Sequence, residues 1–316
     1  MKIAVIRFSS LGDVALSSVV LQPLYEKGYK ITFITFKPFD TLFEKDYRIE
    51  KLVGLNKKDL KTVKDIKSFS KSLKDFDLIL DLHSNLRTFL ISFFSGIKTL
   101  RYNKKSLQRR LLIKPFLKNF VNLQNFNVLK AYLKPLENLN IKGDYKPKLI
   151  LDEKDFPNIE IPENFIAIGT GARYKGKIYP YFKQVIENLN ENIVLVGSKE
   201  DLEKDKNEYK NVLDLRGKLS LRQSLAVLSK AKLTISNDSA IAHLSRSVGT
   251  KVIMIYGATH PYFGFYPLED EGSFLFADLK CQPCDLHGKK ECKYKDYRCF
   301  KAITPEMVLK EVKKYV

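Results

Sequence analysis

The sequence predicts an α/β protein of two doubly wound, Rossmann-like halves facing each other across a cleft. Three observations predict this. The length, 316 residues, is about twice the ~150 expected of one domain. Short β-branched apolar runs alternate with stretches of helical spacing, the pattern of βαβ units and a parallel sheet. The alternation is interrupted over residues 143–162, where Gly143, Pro147, Pro157 and Pro162 punctuate an acidic stretch that reads as an interdomain connection. The expected division is therefore 1–155 and 156–316.

Residues 2–7 are the first expected strand. The turn Phe8-Ser9-Ser10-Leu11-Gly12 follows, and from Asp13 helical spacing runs through Val14, Leu16, Val19, Val20 and Leu24 to a stop at Gly28. A strand at 31–36, a helix over about 60–73 and a buried strand at 78–82 continue the series. Asp81 and His83 stand at the carboxyl end of that last strand, the end where open α/β sheets bind ligands. The connection holds a short strand at 149–151. The second series has strands at 165–169, 193–197, 212–215, 233–236 and 251–257. Its helices start near 180 and span about 221–231 and 239–248. A last amphipathic helix is expected over about 305–315, with Thr304 as its N-cap.

Lys+Arg 55 against Asp+Glu 36 leaves a net charge of +19, which calls for an anionic partner: nucleic acid, phosphosugar or acidic membrane surface. The opening apolar run is too short for a signal-peptide core and ends at Arg7. The longest apolar candidate, 89–97, is half a membrane span. A soluble or peripheral protein of the cytoplasm is expected. No acidic residue occurs between Asp81 and Glu137, a segment holding Arg87, Lys98, Arg101, Lys104, Lys105, Arg109, Arg110, Lys114, Lys118, Lys130 and Lys134. Interleaved Phe93, Phe94, Leu107, Leu111, Leu112 and Phe116 make an interface-seeking surface, against the plainer reading of a solvated basic face. The four cysteines, Cys281, Cys284, Cys292 and Cys299, are confined to nineteen residues. They read as a structural zinc site, as disulfides or as free thiols, with His287 as a substitute ligand.

Three strand-to-helix junctions could carry chemistry. In Ser9-Ser10-Leu11-Gly12-Asp13, the carboxylate of Asp13 begins a helix, where the helix dipole favours its ionised form. It is either a general base or an ordinary capping residue. The loop lacks the Gly-Lys-Ser/Thr ending of a P-loop and the three glycines of the dinucleotide fingerprint. In Thr170-Gly171-Ala172-Arg173-Tyr174-Lys175-Gly176-Lys177, small residues permit close approach of a ligand and Lys177 could neutralise a diphosphate. In the third, Asp238-Ser239-Ala240 open a helix whose free amides suit a phosphate. His243 projects from its second turn, as a ligand contact or as a packed core histidine.

These motifs together resemble glycosyltransferase family 9, the heptosyltransferases. The resemblance is carried by Arg7 through Val14, Lys177-Ile178-Tyr179-Pro180, Asp238 through Leu244, and Tyr256-Gly257-Ala258-Thr259. Asp81-Leu82-His83 with Arg87, and the cysteines followed by Ile303-Thr304-Pro305-Glu306, extend it to nearly the whole chain. It implies a GT-B fold with an acceptor-binding N-terminal half and a nucleotide-sugar-binding C-terminal half. It also implies inverting, metal-independent transfer of heptose from ADP-heptose to Kdo or heptose of the lipopolysaccharide inner core. Asp13 would then be the catalytic base. Lys177, Ala172, Arg173, Asp238, Ser239, Ala240 and His243 would bind donor. Ser10, Gly12, His83, Arg101, Lys104, Lys105, Arg109 and Arg110 would meet the acceptor. No cofactor is required for catalysis, and the expected place is the inner face of the inner membrane, held peripherally. Ala240 stands where members usually have glycine and Tyr179 where they have tryptophan, so a different sugar or acceptor within the family is the alternative. A basic nucleic-acid-binding protein is the competing reading of the charge. It leaves Asp13, Lys177 and residues 238–243 unexplained, and no nucleic acid is expected as partner.

Overall fold

The computed structural model describes residues 1–316 and contains two all-parallel sheets. The first is ordered β3-β2-β1-β4-β5, from β1 (Lys2–Ile6), β2 (Lys30–Phe36), β3 (Lys51–Leu55), β4 (Leu78–Asp81) and β5 (Thr99–Arg101). Its helices are α1 (Leu11–Leu16), α2 (Leu21–Glu26), α3 (Val63–Lys71), α4 (Leu86–Ser95), α5 (Ser106–Leu112) and α6 (Val128–Leu133), of which α5 leaves this half, as described below. The second sheet is ordered β11-β10-β9-β6-β7-β8. Its strands are β6 (Phe165–Gly169), β7 (Asn192–Leu195), β8 (Val212–Asp214), β9 (Leu233–Asn237), β10 (Val252–Ile255) and β11 (Gly272–Leu275). The remaining helices are α7 (Phe182–Glu187), α8 (Lys199–Lys204), α9 (Leu221–Lys230), α10 (Ala240–Ser247), α11 (Arg298–Lys301) and α12 (Pro305–Val312). The α/β architecture with two parallel sheets expected from the alternating pattern is the one observed.

The central strands β1, β4, β6, β9 and β10 are almost wholly buried, which is why their unbroken apolar runs are readable in the sequence. The strands not anticipated, β3, β5 and β11, lie at sheet edges and are largely half-buried, so they lack such a run. α4 was not anticipated either. The helix expected from Asp13 to Gly28 breaks into α1, a 3-10 turn at Ser17–Val20 and α2. The Ser17 and Ser18 hydroxyls there donate to the Val14 and Ala15 carbonyls, a local competition that bends helices. Residues 149–151 form no strand. The neighbouring Lys148 donates its N–H to Ser18 Oγ and its carbonyl accepts from Arg48 Nη2, so side chains satisfy the backbone that a ladder would have paired.

The chain divides into two compact units, Met1–Lys104 with Val128–Asp152, and Lys105–Asn127 with Glu153–Val316. The passage at Asp152 lies close to the expected division. The excursion 105–127, read as part of the first half, instead packs with the second. Leu112 and Leu123 are buried with Phe263. Arg109, expected at the acceptor, is buried with its guanidinium 4.9 Å from the Phe126 ring centroid and 5.3 Å from that of Phe265. Its stem and charge hold this excursion in place. Arg109→Ala is expected to cost about 2 kcal/mol, read as a lower denaturation midpoint, and to expose residues 105–127 to limited proteolysis. An unchanged midpoint and cleavage pattern would contradict this anchoring role.

Candidate active site

In each sheet the strand order reverses beside a central strand: between β1 and β4, and between β6 and β9. Loops splay apart at such a reversal, and ligands bind there at the carboxyl ends of the strands. Of the side chains anticipated from the sequence, Asp13, His83 and Arg101 lie by the first place and Lys177, Asp238 and Ser239 by the second, whereas Arg109 and Arg110 lie at neither.

In the first unit, β1 runs into Arg7 and β4 into Leu82 and His83. Arg7 is buried; its Nη1 donates to the Leu82 carbonyl and its Nη2 lies 2.6 Å from Asp13 Oδ1. The other carboxylate oxygen of Asp13 accepts from Ser10 Oγ at 2.6 Å and from Ser10 N at 3.3 Å. Asp13 closes a capping box on α1 through the Ser10 N–H, and it remains partly exposed beside a fixed guanidinium. Burial by itself would lower the Arg7 pKa. Asp13, Tyr132 and Tyr102 together more than offset that, so the guanidinium is held charged more firmly than usual. Asp81 is fully buried and organises the next loop. It accepts from the backbone N–H groups of His83 and Ser84 and from Arg101 Nε at 2.6 Å. Arg101 Nη2 and His83 Nδ1 are buried without a hydrogen-bond partner. Burial, then the charges of Arg7 and Lys104, push the His83 pKa down to about 3, so it is a neutral ring at physiological pH. Ser10, Gly12, Asp13, His83, Arg101 and Lys104 thus belong to one unit, while Lys105, Arg109 and Arg110 belong to the other.

In the second unit, Lys177 Nζ lies 2.8 Å from Asp238 Oδ2, which also accepts from Thr259 Oγ1 at 2.8 Å. Burial would raise the Asp238 pKa, but Lys177, His243 and the bond from Thr259 together bring it below the ordinary carboxylate range. His243 is buried, 3.5 Å through Nδ1 from Arg246 Nη1 and against the Phe265 ring. It is packed, yet within electrostatic reach of Asp238. Ser239 Oγ pairs with Ser236 Oγ at 3.0 Å, and Ala240 is the first residue of α10. Ala172 is buried and Arg173 exposed over the Tyr174 ring.

Some residues that matter here were not singled out in the sequence. Asn237, fully buried, accepts from Tyr179 N and donates to the carbonyls of Thr170 and Gly171. It fastens the β6 loop and the Lys177 loop to the end of β9. The cysteine-bearing segment buttresses the same lysine. A Cβ on Gly288, which has φ +73°, would lie 2.5 Å from Lys177 Cγ, and one on Gly176 would lie 2.8 Å from the Gly288 carbonyl oxygen. Gln282 Nε2 donates to the Gly257 carbonyl and Cys284 N to that of Ala258. Asn237 sits next to Asp238 in the motif, a signal that could have found it; the Gly176–Gly288 approach is non-local and left none.

All four cysteines are free, and no three His, Cys, Asp or Glu side chains group as a metal site. Cys299 is spent on the core with Tyr179, Phe300 and Ile303. Burial raises its pKa to about 12 and that of Cys284 to about 11. His287 is exposed. Tyr179 is likewise a core residue, its hydroxyl donating to the Ile303 carbonyl at 2.7 Å.

Burial lowers His260 to about 4, as it lowers His83 to about 3. The unfolded chain takes up protons on these groups below about pH 6.5, where the folded protein does not. Their contribution to stability is complete above that pH and is lost as pH falls toward 4. Thermal melts should show Tm dropping between pH 7 and 4.5, with a shallower drop in the double variant His83→Gln, His260→Gln. Parallel curves would refute the assignment.

Comparison with known proteins places these two constellations in context. A profile of glycosyltransferase family 9 (heptosyltransferase) matches residues 66–297. Lipopolysaccharide heptosyltransferase 1 of Campylobacter coli is 26% identical over 299 residues, covering 83% of this chain and 85% of its own. Lipooligosaccharide heptosyltransferase 2 of Campylobacter jejuni is 27% identical over 320 residues, covering 96% and 94%. Among solved structures, a family 9 glycosyl transferase of Veillonella parvula superposes with TM-score 0.77 at 20% identity, covering 99% of this chain and 96% of that one. An E. coli heptosyltransferase with ADP-2-deoxy-2-fluoro heptose superposes with TM-score 0.71 at 15% identity, each chain covered completely (100%). The family profile spans well over half of the chain, and the chain belongs to glycosyltransferase family 9, a family of sugar-transferring enzymes.

Proposed function

We propose that this enzyme transfers heptose from ADP-heptose to Kdo or heptose in the inner core of a lipopolysaccharide precursor, with inversion at the anomeric carbon and without a catalytic metal. It would work peripherally at the cytoplasmic face of the inner membrane. One observation carries the reading: in a family 9 chain, a carboxylate oriented by Arg7 and Ser10 stands at one sheet reversal, and a lysine–aspartate pair opens α10 at the other. The E. coli relative solved with an ADP-heptose analogue supports the donor class.

In this mechanism Asp13 takes the proton of an acceptor hydroxyl as that oxygen attacks the anomeric carbon. The bond from that carbon to the diphosphate oxygen breaks on the opposite face, and ADP leaves with the electron pair. Lys177 turns from Asp238 toward the diphosphate and, with the first amides of α10, stabilises the charge that develops there. The positive groups that a metal would otherwise supply are thus side chains and amides. Arg101, through its unpartnered Nη2, and Lys104 are suited to the carboxylates and phosphates of the acceptor. His83 beside them contributes a neutral hydrogen-bonding ring. Ala240 adds a methyl group at the start of α10, so a related nucleotide sugar is the alternative donor.

The test is ADP release from ADP-heptose with and without Kdo-lipid A. Acceptor-dependent release is expected, falling about 10²–10⁴-fold in Asp13→Ala and about 10²–10³-fold in kcat in Lys177→Ala. Release without acceptor would indicate hydrolysis instead. No release from a protein that still binds ADP would point to another sugar or acceptor.

A further inference from the structure

Residues 105–127 present two surfaces of opposite character. One is anchored: Leu112, Leu123 and Arg109 are buried against the second unit, and Lys118 Nζ donates to the Lys280 carbonyl at 3.0 Å. The other is apolar and bare. Phe116 is 91% exposed, Phe120 86% and Leu107 70%. Isolated apolar residues on a surface need no explanation. Two phenylalanines four positions apart, held out by an anchored base instead of folding onto it, do. Arg110 and Lys114 are exposed alongside them, and no acidic residue lies anywhere between Asp81 and Glu137.

We propose that this surface docks the enzyme on an anionic lipid bilayer. Phe116 and Phe120 enter the boundary between headgroups and acyl chains, while Arg110 and Lys114 meet lipid phosphates. Charge complementarity selects this occupant. Bare benzyl rings among cations are satisfied together where hydrocarbon lies directly beneath a layer of negative charge. A second copy of the chain would bring the same cations against one another. The proposal names the surface behind the peripheral placement given above and rests on that placement for its biological setting. Its chemistry does not depend on the transfer reaction.

The chain has no tryptophan, so Phe116→Trp installs a single fluorescent reporter at the proposed contact. With the full-length protein, its emission should shift to the blue on adding vesicles of phosphatidylglycerol and phosphatidylcholine, and much less with phosphatidylcholine alone. In co-sedimentation the wild type should bind the anionic vesicles and be released by salt. The double variant Phe116→Ser, Phe120→Ser should bind at least about tenfold more weakly, and the reversals Arg110→Glu and Lys114→Glu about fivefold more weakly each. Transfer to a water-soluble, delipidated acceptor should be unchanged in the phenylalanine variant. Failure of the wild type to bind, or binding with no shift in tryptophan emission, overturns the proposal. So does a phenylalanine variant that keeps its vesicle affinity while an oligomer dissociates, since the surface would then join two copies. Vesicle binding through these rings in a protein with no transferase activity would uphold the docking surface while removing the proposed reaction. Should the serine variant not fold, the emission shift of Phe116→Trp decides the matter alone.

Discussion

Parallel strands need crossovers, and crossovers of fixed hand send the loops at the carboxyl edge to opposite faces of the sheet on the two sides of a reversal in strand order. That constraint governs the rest of this structure. The first strand of each series is flanked by the second strand on one side and by a later strand on the other, and the gap between lies open. Into it project Arg7, Asp13, Asp81 and His83 in one unit and Lys177, Asn237 and Asp238 in the other. Several of them are joined to groups far away in the chain: Arg7 to the Leu82 carbonyl, Asp81 to Arg101, Lys177 to Asp238 and Asn237 to Tyr179. Topology brings them together, and the apolar faces of the sheets supply the driving force that keeps the topology closed.

Charged groups at such a place must be reconciled with burial. A buried ion without a partner is expensive, and a buried pair is only weak evidence of net stabilisation. The pairs Arg7–Asp13 and Lys177–Asp238 are better understood as positioning devices. Each fixes its two members in one orientation, and each leaves one of them partly exposed, at 18% for the side chains of both Asp13 and Lys177. Asp81 does the same for backbone, tying the His83 turn and Arg101 together through one carboxylate. Asn237 does it with a neutral amide whose acceptor and donors are all occupied, as a fully buried amide requires.

The cysteine segment and the basic excursion show how residues conspicuous in the sequence can serve ends other than the obvious one. Four close-set cysteines suggest a metal, yet one is core and the stretch between them is a buttress beneath Lys177, shaped by the contact of Gly176 with Gly288. Arg109 lies in the most basic run of the chain, yet it is sequestered between two rings and anchors that run to the second unit. Its neighbours Arg110 and Lys114, one and five positions further on, stay outside. Helical periodicity separates the two fates: positions 109 and 112 face inward together, and 110 does not.

The sequence by itself determined the βαβ alternation, the central strands and the junction motifs around Asp13, Lys177 and Asp238. These are local signals, since a strand buried on both faces must be continuously apolar and a strand-to-helix turn needs its small and capping residues in order. Only the tertiary structure decided the edge strands β3, β5 and β11, whose half-exposed residues carry no clear period, and the distant partners of the charges. It alone assigned residues 105–127 to the second unit and the segment between the cysteines to a place against Lys177. Both outcomes depend on contacts between residues far apart in sequence: Leu112 and Leu123 with Phe263, and Gly176 with Gly288. The free energy that selects among such contacts comes from burying apolar surface, a non-directional effect that no short window of sequence encodes.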